Sequence, residues 1–328
     1  MRAPADRRVR LAAVVALAAL VLAAVAPGCG GGRDGPRLAI GYFPNVTHAA
    51  PILGLSEGIY ARHLPGVRVE GRRFLTGPEA VSALLSDSVD AVYTGPGPVL
   101  TAASRAPGEL LILAGAAEAG ALLVARPGAG IRRVRDLAGR RVAVPTFGGT
   151  QDLTLRDLLR SAGLRSADRG GSVRLMPVDN AELRSALRSG VVDAAMAPEP
   201  WASTLIAAGA ADLVLDADEI LGGRYPTTVL AVRTHLARER PDVVRRLLEA
   251  NAEAVRLVRA KPGLAARRYN EIVTAAAGRA LSAEVLRRAL RRTRASVAVR
   301  PQAMARLLAA ARDAGYLAHD VRLADLVR

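Results

Sequence analysis

The sequence predicts an α/β fold in two lobes, and three observations carry that prediction. Short apolar β-like runs alternate with helical segments from residue 37 onward. A helix, a short turn, a Val-Asp-Ala strand and a Pro-x-Pro loop occur in that order twice, around residues 83–98 and again around 186–200. From Pro241 the chain is almost wholly helical. Alternation of this kind points to largely parallel sheets, and two such lobes set their strand-end loops across a shared crevice.

The chain begins with Arg2, Arg7, Arg8 and Arg10, an apolar run over 11–26, and then Pro27-Gly28-Cys29. A basic head, an apolar middle and small residues at the end describe a secretory signal over 1–28. The apolar run falls short of the ~20 residues that span a bilayer. Cys29 is the single cysteine, and its place resembles the bacterial lipobox, in which that residue is lipidated; Ala26 and Pro27 depart from the usual pattern. Simple cleavage to an exported protein is the alternative. Residues 29–36, rich in glycine, read as a flexible tether.

The first lobe opens on Arg37-Leu38-Ala39-Ile40 and the stretch from Gly41 to Pro51. Gly41 and Pro44 punctuate a turn, Asn45 or Thr47 is placed to cap a helix reaching about Tyr60, and Pro51 falls in its first turn. The free N–H groups of such a helix start suit a bound anion, with Asn45, Thr47 and His48 as further donors; the alternative is turn and cap duty. Val67–Glu70 is the second strand, and Thr76-Gly77-Pro78-Glu79 starts the next helix. Val89–Tyr93 is a strand that empties into Thr94-Gly95-Pro96. Runs at 110–113 and 121–125 are strands as well. In the second lobe, Arg141–Val144 leads through a Gly-rich turn to a helix from Gln151, with Thr150 as its cap. Asp179–Glu182 resembles a capping box opening another helix. The expected division is residues 37–123 with 229–328 as one lobe and 124–228 as the other, joined by a two-strand hinge. The C-terminal helices return to the first lobe.

Composition excludes several functions. Lys+Arg 46 against Asp+Glu 30 gives +16, but aromatics make only 3% and the arginines are spread over helix faces such as Arg245-Arg246, Arg287-Arg288 and Arg291-Arg292. A nucleic-acid binder concentrates its charge in one stripe interleaved with aromatics, so solvated faces explain this chain better. One cysteine and four scattered histidines offer neither a disulfide framework nor zinc-ligand spacing. The sequence holds no carboxylate cluster for a metal and no Gly-x-x-x-x-Gly-Lys loop for a nucleotide; no cofactor is expected.

Taken in order, Gly41–Ala49, Ala83-Leu84-Leu85, Val89–Pro96, Asp136–Ala143, Asp193-Ala194-Ala195 and Pro198-Glu199-Pro200-Trp201 resemble substrate-binding proteins of ABC importers. The nearest group is the aliphatic sulfonate, taurine and nitrate binders, with pyrimidine-precursor binders as relatives. The resemblance spans roughly residues 37–270, and the ordered set carries it, not any single motif. It implies a type II venus-flytrap fold with a two-strand hinge, and a monomeric, non-enzymatic receptor in the cell envelope. Such a receptor closes on a small solute and docks on a permease with its ATPase. At the mouth of their strand, Thr94 supplies a hydroxyl and Gly95 a bare amide for the ligand, with a plain turn as the alternative. Gly149, Thr150 and Gln151 form the matching helix start on the second lobe, where glycine lets the backbone approach the ligand. Glu199 and Trp201 face the first lobe, and Tyr225 and Thr227 close the rim. Trp201 covers an aliphatic tail or an ammonium, or else is core. Glu199 implies an amine on the ligand, an arginine partner, or a position outside the pocket. A sulfonate or taurine-like solute is favoured, with nitrate, bicarbonate or a thiamine-pyrimidine precursor as alternatives and a pyrimidine-synthase-type enzyme as the rival class.

Overall fold

The computed structural model describes residues 36–328; the basic-apolar head, Cys29 and the tether up to residue 35 lie outside the described residues. The chain runs through β1 (Arg37–Tyr42), α1 (Ala49–Ser56), α2 (Ile59–His63), β2 (Arg68–Arg73), α3 (Gly77–Leu85), β3 (Ala91–Thr94), α4 (Pro96–Arg105) and β4 (Leu110–Ala119). It continues with β5 (Ala121–Ala125), β6 (Arg141–Val144), α5 (Thr150–Ser161), β7 (Arg174–Pro177), α6 (Leu183–Arg188), β8 (Ala194–Pro198), α7 (Trp201–Ala207) and β9 (Asp212–Leu215). Then follow β10 (Pro226–Arg233), α8 (Thr234–Glu239), α9 (Pro241–Ala260), α10 (Pro262–Ala277), α11 (Ala283–Arg292), β11 (Thr293–Ala295), α12 (Pro301–Asp313) and α13 (Leu323–Leu326).

Two sheets result, ordered β11-β4-β10-β3-β1-β2 and β7-β6-β8-β5-β9. Each contains a parallel trio, β2-β1-β3 or β7-β6-β8, flanked by an antiparallel strand, β10 or β5. The Val-Asp-Ala repeat has the same job in both. Asp90 Oδ2 accepts the Ala39 N–H at 2.6 Å, and Asp193 Oδ2 accepts the Arg141 N–H at 2.9 Å. Each carboxylate, one residue ahead of its strand, locks that strand to the neighbouring one. Burial works against the Asp193 charge, yet hydrogen bonds from the Arg141 side chain and backbone hold its pKa below the usual carboxylate value.

The chain leaves the first sheet at Ala119 and enters the second at Ala121, then returns between Leu215 and Pro226. Both crossings precede the expected boundaries at 123/124 and 228/229, because Ala121–Leu123 already pair with β8 and Pro226 already pairs with Glu118 of β4. Gly120, between the sheets, has φ 78°, and a Cβ there would meet the Thr293 hydroxyl at 2.6 Å, so the crossing needs glycine.

On the first sheet, one face buries α1, α2, α9, α10 and α11 and the other buries α3, α4, α12 and α13; the second lobe has its own core. A buried polar chain fastens α9 to the sheet. Tyr60 donates to Tyr93 at 2.7 Å, Tyr93 to Asn251 Oδ1 at 3.0 Å, and Asn251 Nδ2 to the Gly115 carbonyl at 3.0 Å. The C-terminal helices therefore belong to the first lobe's core, but they also reach the second. Arg292 binds Asp216 at 2.9 Å and Glu199 at 3.5 Å, Arg306 binds Asp157 at 2.5 Å, and Asp313 binds Arg160 at 3.0 Å.

Three local expectations are corrected. The helix after the first turn stops at Ser56 and restarts at Ile59, since Gly58 is left-handed at φ 65°. Thr150 is the first residue of α5, and Gly149 is its N-cap. Asp179–Glu182 forms a turn, and α6 starts at Leu183 with no side-chain cap.

Candidate functional site

A cavity of about 390 Å³ lies between the lobes. Its walls are the loops at the carboxyl ends of the parallel strands, where open α/β sheets bind ligands. Asn45, Thr47 and His48 follow β1, Leu75, Thr76, Gly77 and Glu79 follow β2, and Gly95 follows β3. Opposite them, Thr146 and Gly149 to Gln151 follow β6, Asp179 and Asn180 follow β7, and Pro198 and Trp201 end β8 and begin α7. Thr227 of β10 lies between the two walls, its hydroxyl donating to the Ala117 carbonyl at 3.3 Å.

Of the twelve residues expected in the site, nine line this cavity: Asn45, Thr47, His48, Gly95, Gly149, Thr150, Gln151, Trp201 and Thr227. Thr94, Glu199 and Tyr225 do not. Side chains alternate along a strand, and Thr94 at the end of β3 is fully buried beneath the wall that Gly95 forms. Glu199 is fully buried as well. Its carboxylate accepts the Ser203 N–H at 3.0 Å and hydroxyl at 2.7 Å and pairs with Arg292. Burial raises its pKa against those partners. A carboxylate so engaged is a structural anchor, not a ligand contact. The Tyr225 hydroxyl donates to the Ala121 carbonyl at 3.4 Å, inside the hinge and away from the rim.

His48 is almost wholly enclosed, with its ring 4.4 Å from that of Phe43. Its Nδ1 accepts the Phe43 N–H at 3.3 Å, which leaves the proton on Nε2. Burial pushes the pKa down to about 3, so the ring is a neutral hydrogen-bond donor at ordinary pH. Asn45 caps a short 3₁₀ turn over Val46–His48 without a side-chain capping bond, and its Oδ1 is buried with no partner. Asn180 Oδ1, on the other lobe, is buried and unpartnered too.

The helix starts of α4 and α5 meet tip to tip. The Gly97 N–H donates to Thr150 Oγ1 at 3.1 Å. A Cβ on Gly97 would stand 2.8 Å from the Gly149 carbonyl carbon, and one on Gly95 would overlap the Thr150 hydroxyl. Bare glycine is what lets the two lobes touch here. Behind this contact, Asp152 is fully buried and accepts the Gly148 N–H at 2.8 Å and Arg156 Nε at 2.9 Å; burial nonetheless raises its pKa.

No Lys or Arg is among the described residues lining the cavity, whereas Glu79 and Asp179 both are. Sequence reasoning missed these two, together with Thr76, Thr146 and Asn180. Thr76 and Glu79 form a helix cap, with Glu79 N–H donating to Thr76 Oγ1 at 3.4 Å, and their cap motif hid their position at a strand end. Asn180 follows β7, a short edge strand that the sequence reading did not recognise. Among the described residues there is no His, Cys, Asp and Glu cluster fit to hold a metal, and no helix long and apolar enough to cross a membrane.

Paired sheets, crossed strands and a cleft at the strand ends define a periplasmic-binding-protein fold. The family model described as NMT1-like matches residues 31–272, and the chain belongs to that family. A putative binding protein of Brucella abortus is 28% identical over 252 residues, which cover 76% of this chain and 73% of the relative. The taurine-binding periplasmic protein of Escherichia coli is 29% identical over 191 residues, covering 58% of this chain and 57% of that protein. Among solved structures, the alkanesulfonate-binding protein SsuA of Xanthomonas axonopodis pv. citri, bound to MOPS, superimposes with a TM-score of 0.75 at 21% identity. That match covers 90% of this chain and 99% of SsuA.

Proposed function

We propose that the chain is the solute-binding receptor of an ABC importer, and that its cleft takes a small zwitterion of the aminoalkanesulfonate type, taurine being the simplest. The observation that carries this reading is the mixture of groups around one enclosed space. The helix starts after β1 and β6 bring free N–H groups and positive dipole ends toward a sulfonate. The neutral His48 ring adds a donor. The unpartnered oxygens of Asn45 and Asn180, one per lobe, ask for N–H donors, and the Glu79 and Asp179 carboxylates favour an ammonium. Trp201 supplies an apolar face for the methylenes. The named relative that binds taurine supports the same class. Nitrate satisfies the helix starts but offers the asparagines nothing.

The mechanism is capture by closure. One lobe holds the solute, and contacts from the other favour the shut form, in which Thr150 meets Gly97. We read the chain as a binder rather than a catalyst, since the Nδ1 of His48 is taken by a backbone N–H. Delivery to a permease and its ATPase, action as a monomer in the cell envelope, and anchoring through a lipid on Cys29 complete the proposal.

Calorimetry with taurine, ethanesulfonate, nitrate and an aminopyrimidine tests it. Taurine is expected to bind tightest. Ethanesulfonate should bind about 10- to 100-fold more weakly, because a charge-assisted hydrogen bond is worth about 1.5–3 kcal/mol. Absence of heat and of a melting shift with all four ligands rejects the reading. Tightest binding by the aminopyrimidine moves the site to flat heteroaromatic amines stacked on Trp201.

A further inference from the structure

Beside the two hinge crossings lies a groove of about 800 Å³ that shares no residue with the solute cleft. Fifteen described residues line it, and six are arginines, against 46 Lys and Arg in the 328 residues of the chain. A merely Arg-rich composition does not concentrate them so. They arrive from five places: Arg224 ahead of β10, Arg259 at the end of α9, Arg287 and Arg291 on α11, Arg294 in β11, and Arg300 ahead of α12. In sequence, Arg287 and Arg291 look like a solvated helix face; the fold turns that face toward four other arginines.

Three of the six charges are matched. Arg287 pairs with Glu284, Arg294 with Asp218 at 2.6 Å, and Arg300 with Glu118 at 2.5 Å. Arg259 donates through Nε to the Ala295 carbonyl at 2.6 Å, which satisfies a hydrogen bond and leaves the charge uncompensated. The side chains of Arg224 and Arg291 have no ion-pair or hydrogen-bond partner among the described residues. Three unneutralised guanidiniums, all on exposed residues, thus border one concavity. Guanidinium forks match the oxygens of a phosphate group. The groove is not uniformly polar: Val258, Pro262, Ala266 and Leu290 also line it.

We propose that this groove is a second binding site, independent of the solute cleft, for a phosphate-headed amphiphile. Arg224, Arg259 and Arg291 hold the phosphate, and Val258, Pro262, Ala266 and Leu290 carry the apolar portion. The same chemistry is offered by an anionic phospholipid headgroup and by a free phosphate, and the test separates them.

The full chain is titrated at low salt with dihexanoyl phosphatidic acid below its micelle concentration, with inorganic phosphate, and with vesicles of phosphatidylglycerol in phosphatidylcholine. The comparison protein is the double variant Arg224→Ala/Arg291→Ala. Neither residue has a partner in the fold, so an unchanged melting temperature is expected. Phosphatidic acid should bind the native chain, lose about tenfold in affinity in the variant, and weaken as salt rises. Affinity for taurine or whichever solute fills the cleft should not change. Vesicle binding that the variant loses assigns the site to a membrane headgroup. Inorganic phosphate binding as tightly as the lipid, and lost in the variant, overturns the amphiphile and leaves a site for free phosphate. A native chain that binds none of the three at low salt, or a variant that binds phosphatidic acid as tightly as the native chain, overturns the proposal.

Discussion

The solute cleft and the groove beside the hinge divide the charge of the molecule between them. In a chain of formal charge +16, the cleft is lined by no Lys or Arg among its described residues and the groove by six arginines. The difference teaches how an arginine-rich protein keeps a selective pocket. A guanidinium inside the cleft would accept almost any oxyanion, while fixed amide dipoles and neutral side chains bind one only where its oxygens fit. Positive charge is placed where it meets no guest of the cleft.

Four measurements break or sharpen that contrast. The largest effect is expected from His48, the one ring among the described cleft residues able to become a cation. Its folded pKa of about 3 lies below the ordinary value of 6.5, so the unfolded chain takes up the proton first as pH falls. The His48 contribution to stability, on the order of 5 kcal/mol, is complete above pH 6.5 and is lost as pH falls toward 3. Chemical denaturation across that range should show a shallower decline in His48→Gln, and an identical slope would remove His48 as its source. Next, Gly95→Leu should prevent the α4 and α5 tips from meeting and lower solute affinity about 100-fold, near 2.7 kcal/mol, with circular dichroism unchanged. Native affinity in this variant would mean that the shut form does not need the contact. Asn180→Leu is expected to cost about tenfold for taurine and little for ethanesulfonate; equal losses for the two would dissociate Asn180 from the ammonium. Smallest is salt: between dilute and physiological buffer, cleft affinity should move by less than about twofold. A steep dependence there would show that the cleft borrows field from the arginines.

Much of the architecture was legible because local signals agreed with the fold. The repeated Val-Asp-Ala motif marked the inner strand of each lobe, and Asp90 and Asp193 turned out to bind equivalent backbone N–H groups. The loops after β1 and β6 stood out through their glycine, proline and small polar residues. Illegible were β7, β9 and β11, short strands whose exposed positions carry no apolar alternation, and with β7 went the cleft residues Asp179 and Asn180. For Glu199 the sequence left a ligand amine, an arginine partner and a place outside the pocket open, and could not choose the arginine because Arg292 is 93 positions away. Thr94 was misplaced by one residue of strand pleat. Arg224 and Arg291, far apart in sequence, gave no sign that they border the same groove.

The bond from Arg292 to the second lobe ends on Glu199, a carboxylate with no exposure to water and no second cation beside it among the described residues; Asp157, bound by Arg306, keeps Arg160 of its own helix. Stripping a buried anion of its counter-ion is expensive. On the proposed capture by closure, opening the lobes at this bond is disfavoured, so the tail of the polypeptide is expected to limit how far the jaws travel, although none of its described residues lines the mouth.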